Sequence, residues 1–169
     1  MSFTISQSLL PEFDMEMANT RKMLVRVPES EGAFLPHAKS MTLRRLAGHV
    51  AEMPMWAVMT LGRDELDLRP DGRQTYEAYE LTTTADALAM FDENLRQGRA
   101  LLEAATDETM MRPWTLKDQG QIYFSMPKVA VMRSFVMNHM IHHRGQLAVY
   151  LRMNNVPVPG MYGPSADEQ

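Results

Sequence analysis

Phe135-Val136-Met137-Asn138-His139-Met140-Ile141-His142-His143-Arg144-Gly145-Gln146-Leu147-Ala148-Val149-Tyr150-Leu151-Arg152 is the stretch on which the reading of this chain turns. It reads as a helix with three imidazoles within five residues. Side chains four positions apart sit one turn above another on the same helix face. His139 and His143 can therefore aim two ring nitrogens at one point, as two helical histidines do when they share a metal ion. His142 lies on the same broad side as His139 but is rotated by roughly 100° from His143, which makes it a hydrogen-bonded or surface histidine. The rest of the chain is expected to hold this helix and bring it a third ligand.

Composition narrows the chemistry. A chain of 169 residues at 45% hydrophobic can bury the core of one domain, here residues 1–169. A net charge of −4 and the lack of a basic stripe exclude a nucleic-acid partner. There is no cysteine, so disulfides, thiolate ligands and a cysteine nucleophile are all excluded. A metal site must then use histidine and carboxylate, which suit zinc, nickel, iron or manganese. No apolar run reaches about 18 residues and no basic, then apolar, leader opens the sequence. The expectation is a cytoplasmic protein with no membrane partner. The 17 methionines read as a plastic core or a packed subunit interface, the sharper alternative being a promiscuous apolar pocket.

Helical periodicity recurs along the chain. A first helix is expected from about Ser8 to Val27, with Pro11 in its first turn and Arg21, Lys22 and Arg26 favouring its dipole. Residues 33–41 form an extended connector. A second helix starts after Thr42 as N-cap and runs through Leu46, Val50 and Met53 toward Met59. Within it Pro54 should kink or split the helix. Gly62 to Thr82 reads as a charged surface excursion, with Tyr76 and Tyr79 as functional candidates. Thr83 or Thr84 caps a third helix, about Ala85 to Ala105. Trp114-Thr115-Leu116 and Gln121-Ile122-Tyr123-Phe124 flank a turn as a short β-hairpin. Ser125 and Pro127 then open the fourth helix, which Asn154-Asn155 and two prolines stop near Met153. The tail from Val158 onward reads as an irregular strap.

Four helices with one apolar side each give an all-α fold, a four-helix bundle with a short β-hairpin before the last helix. Bundles build metal sites from facing helices. His49 leans to the apolar side of the second helix, whereas His37 sits in the connector as the weaker candidate. His49, His139 and His143 complete a three-histidine set that leaves coordination positions open, as catalytic sites do.

These residues carry a resemblance. Leu46-Ala47-Gly48-His49-Val50-Ala51-Glu52-Met53-Pro54-Met55-Trp56, the His-x-x-x-His-Arg-Gly-Gln motif starting at His139, and the closing Pro159-Gly160-Met161-Tyr162-Gly163-Pro164-Ser165-Ala166-Asp167-Glu168 resemble the DinB/YfiT-like family. The likeness spans nearly the whole chain. It implies a DinB-type bundle with the family's own left-handed-type connectivity, commonly a homodimer. It also implies a divalent ion, nickel or zinc, on His49, His139 and His143. The family is named for a DNA-damage-inducible gene and is distinct from the lesion-bypass polymerase. Relatives include bacillithiol-dependent thiol transferases and a mycothiol-dependent isomerase.

Other side chains can be placed around the triad. Glu52, one turn beyond His49, is a candidate base for metal-bound water or an orienting partner for a ligand imidazole, with a solvated carboxylate as the alternative. Gln146 and Tyr150 follow His143 at three and seven positions and could line a substrate pocket. Arg144 points elsewhere, toward the strap or a subunit contact, and Gly145 is expected to admit a close neighbour. The function expected is a divalent-metal-dependent enzyme of transferase or hydrolase type. It would activate a low-molecular-weight thiol, which the cysteine-free chain cannot supply, or water toward a small electrophile. The alternative is a non-catalytic, dimeric metal-binding protein of stress response.

Overall fold

The computed structural model describes residues 3–168. Thr4 accepts from the backbone of Gln7, whose side chain returns the bond, and this capping box starts α1 (Ile5–Leu24) earlier than periodicity alone suggests. Pro11 consequently lies inside the helix rather than in its first turn, on an exposed side where water can serve the carbonyl it leaves free. Thr42 caps α2 (Leu43–Gly62) through the Arg45 amide. Pro54 does not split α2, which continues through it. Here α2 is clamped by α3 (Thr84–Ala104). A methyl group placed on Gly98 of α3 would stand 3.1 Å from Ala57 Cβ and 3.4 Å from the Pro54 carbonyl. Packing at that range outweighs one missing hydrogen bond.

A short α4 (Asp107–Met111) leads into the expected hairpin, β2 (Pro113–Asp118) and β3 (Gln121–Pro127), which pair antiparallel. A third strand joins them. β1 (Glu65–Asp67), inside the stretch read as a surface excursion, runs parallel to β2 with Leu66 opposite Leu116. Ser125 is not a helix cap but a strand residue whose hydroxyl meets that of Thr115 at 2.9 Å. The strand carries on to Pro127, where the last helix begins.

That helix has three parts: α5 (Lys128–Val131), a π-helical segment (Met132–Asn138) and α6 (His139–Met153). Two buried cations fix it in place. Lys128 Nζ reaches the Arg63 carbonyl at 2.8 Å and Asp64 Oδ1 at 2.8 Å, tying the start of the helix to the end of α2. Arg144 pairs with Glu16 of α1 at 2.6 Å, both nearly inaccessible, and also donates to Tyr162 of the C-terminal strap. Asn154 ends α6, and Asn155 turns the chain with a positive φ of 57°.

The core lies among α1, α2, α3 and the last helix, with Phe13, Leu46, Phe91, Trp114 and Leu147 all buried. Seven of the described methionines, Met17, Met23, Met53, Met110, Met132, Met137 and Met140, are buried in it. Met55, Met59 and Met90 instead line a cavity of about 500 Å³ beside α2, so the core reading of the methionines covers the first set and not these three.

Candidate metal centre

The bundle brings His49 of α2 against His139 and His143 of α6. His139 Nε2 lies 2.9 Å from His143 Nε2 and 3.4 Å from His49 Nε2. All three ligand atoms fall within 4.8 Å of one another. His139 is the first residue after the π-helical segment, so the wider π turn sets the rotation at which its ring enters the site.

The outer edges of two rings are anchored. His49 Nδ1 donates to Glu52 Oε1 at 2.7 Å, and His143 Nδ1 donates to Gln146 Oε1 at 2.8 Å, tautomers that follow from the acceptors they face. Their Nε2 atoms therefore present lone pairs inward. His139 Nδ1 is buried and has no partner of hydrogen-bonding geometry. A single proton on His139 Nε2 satisfies at most one of its two close contacts and leaves the other without a hydrogen bond, an arrangement better suited to a shared cation than to a shared proton.

Titration behaviour follows from the same packing. Burial pushes His143 down to about 4, with its hydrogen bond to Gln146 opposing and the neighbouring His49 and His139 adding to the fall. Burial, then His49, likewise lowers His139, while the Phe135 carbonyl one turn earlier pulls weakly the other way. Both rings are neutral near pH 7 and available as ligands. At metal–nitrogen lengths of about 2.0–2.1 Å, nitrogens 2.9 Å and 3.4 Å apart subtend roughly 90° and 110° at an ion. The donor set thus fits a divalent cation held by three imidazoles, with one cavity reaching His143 and another reaching His139.

Glu52 faces the Nδ1 edge of His49 and not the space among the Nε2 atoms. Its Oε1 also accepts from Tyr76 Oη at 2.7 Å and from Arg45, and its Oε2 accepts from the Tyr79 amide at 3.0 Å. Burial alone would raise its pKa, but the bonds from His49, Tyr76 and Tyr79, with the charge of Arg45, hold it below the usual carboxylate value. Of the two roles open to it, orienting a ligand fits this geometry. A base does not, because its oxygens are engaged and turned away from the centre.

The other sequence candidates fall on both sides of the expectation. Gln146 and Tyr150 share with His143 the wall of a cavity of about 360 Å³. Gln146 is also the brace of His143, and Tyr150 Oη donates to the Met41 carbonyl. His142 is exposed and accepts from Gln146 Nε2 at 3.1 Å. His37 stays in the connector, where its Nδ1 accepts from the Lys39 amide. Gly145 has open space around it and admits no neighbour within the chain. Arg45 was not singled out from sequence, although Arg45, His49 and Glu52 recur at four- and three-residue steps on one helix face.

The sequence matches the family model described as "DinB family" over residues 1–169. It is 26% identical over 167 residues to the uncharacterised protein YrdA of Bacillus subtilis strain 168, covering 98% of this chain and 93% of YrdA. Two solved structures share the fold. A DinB-like protein from Bacillus cereus ATCC 10987 aligns with a TM-score of 0.71 at 22% identity, covering 96% of this chain and all of that one. The DinB-like protein YjoA from Bacillus subtilis aligns with a TM-score of 0.64 at 20% identity, covering 96% and 99%.

Proposed function

The chain belongs to the DinB family, and from that premise we propose that it is a divalent-metal-dependent enzyme that activates a thiol or water toward a small electrophile. The observation that carries this reading is the convergence of three Nε2 atoms, two of them fixed as lone pairs by Glu52 and Gln146. Nickel or zinc is the expected ion, since neutral imidazoles suit both. A bound divalent ion supplies Lewis acidity and lowers the pKa of a coordinated thiol or water.

The protein's own residues do the rest. His49, His139 and His143 occupy one side and leave the other for the reactant. Glu52 places one negative charge behind His49, strengthening that imidazole as a donor while leaving the centre net positive. Phe135 packs against His139 with ring centroids 5.6 Å apart, and Trp56 and Phe124 back Phe135 at 5.2 and 5.3 Å, which holds the His139 ring at its angle. The reacting thiol must come from outside because the chain has no cysteine. The homodimer that the family resemblance implies belongs to the same proposal and is read from the protein's mass in solution.

The test is elemental analysis of purified protein beside His143→Ala, followed by thiol-transfer and ester-hydrolysis assays on the loaded form. One ion per chain, lost in the variant, together with metal-dependent turnover, is the expected result. Metal without turnover across thiols and esters would favour a non-catalytic metal-binding protein of stress response. No metal in either form would end the reading.

A further inference from the structure

The cavity of about 360 Å³ against His143 lies between α6 and the segment leading into α2. Its polar lining is Lys39, Ser40, His143, Gln146 and Tyr150, and no carboxylate lines it. Two hydrogen bonds to His37, from the Lys39 and Ser40 amides, shape the turn that carries Lys39. Tyr150 Oη stitches the same segment to α6 through the Met41 carbonyl at 3.1 Å. Other cations near the centre are engaged: Arg45 with Glu52 and the Tyr79 carbonyl, and Arg144 with Glu16. Among the described residues the Lys39 ammonium has neither an ion pair nor a hydrogen bond.

We propose that Lys39 is a specificity-determining residue that selects an anionic small molecule for this centre, with the charge of that molecule at Lys39 and its donor atom at the three histidines. The inference rests on the metal-centre reading above and adds a charge requirement to it. Imidazole ligands bring no negative charge to a divalent ion, and the one carboxylate behind them, Glu52, is itself paired with Arg45. The cavity beside His143 then adds a further positive charge and no negative one, and such a recess draws anions from solution. Because Lys39 stands exposed at the rim, its effect is modest and weakens with salt.

The experiment uses the full chain loaded with cobalt(II), whose visible spectrum reports a bound thiolate. It is titrated with 3-mercaptopropionate and with 3-mercapto-1-propanol, which match in length and differ in charge. The affinity ratio of acid over alcohol should fall about fivefold in Lys39→Ala. It should fall further in Lys39→Glu, recover in Lys39→Arg, and shrink as salt is raised. An unchanged ratio in Lys39→Glu with stoichiometric cobalt overturns the selection and leaves the metal centre standing. Failure of the wild-type chain to take up cobalt, or equal uptake by His143→Ala, overturns both and is seen before any thiol is added.

Discussion

Glu52 shows what one buried carboxylate contributes when it is not itself the reacting group. It receives His49, Tyr76, Arg45 and the Tyr79 amide together, and so fixes the angle at which His49 Nε2 looks into the centre. Glu52→Gln keeps the shape and removes the charge, and metal affinity should drop about 10–100-fold. Competition against a chelator measures this, and unchanged affinity would contradict the assignment. The histidines also give a pH signature in the metal-free protein. With its folded-state pKa near 4 against 6.5 when free, His143 takes up its proton first in the unfolded chain. Stability is therefore intact above about pH 6.5 and declines as the pH falls toward 4. Glu52, held below its usual value of 4.5, extends the loss into more acid solution. Thermal midpoints taken between pH 7 and 4 should fall steadily, and a flat profile would contradict the packing described. At this scale the sequence was informative because four-residue spacing makes His139 and His143 neighbours in any helix. It could not choose between the roles of Glu52, which depend on Tyr76 and Tyr79 arriving from 24 and 27 residues away.

Between elements, the decisive contact is the lie of residues 79–81 along α2. A methyl group on Gly48 would stand 2.4 Å from the Tyr79 carbonyl oxygen and 3.0 Å from the Leu81 amide. Both are backbone atoms, so the loop or the helix must move. Gly48→Ala should cost about 1–3 kcal/mol in urea unfolding and weaken metal binding by shifting the donors on Glu52. Gly145→Ala supplies the contrast. It meets open space within a helix and should stabilise by up to about 1 kcal/mol. The two glycines look alike in sequence, and only the neighbour brought in by the fold separates them. The same limit hid β1, whose three residues carry no apolar period of their own and become a strand by pairing with residues 115–117. It also hid the π-helical segment, since Met132–Asn138 is as compatible with an α-helix as with the wider turn it adopts. The first three long helices were legible because each has a stripe of apolar residues wide enough to declare a buried face, and the last because its histidine spacing and the Asn154-Asn155 stop mark it.

For the molecule as a whole, the C-terminal strap closes over a buried charge pair. Tyr162 Oη donates to Glu16 and accepts from Arg144, so α1, α6 and the tail share one network. Arg144→Leu would strand the Glu16 carboxylate, and a loss of about 3–5 kcal/mol is expected in chemical denaturation. A loss under 1 kcal/mol would mean that the strap is held by other contacts. The three histidines have a further consequence at this scale, apart from any catalysis. Residues 49 and 139 lie 90 positions apart in a chain that has no cysteine to bridge them. An ion gripped by both would act as a reversible cross-link, and closing a loop of that length removes chain freedom worth about 4–5 kcal/mol from the unfolded state. Metal supply would then govern how long each copy survives proteolysis and heat, so that scarcity of the ion would thin the population itself.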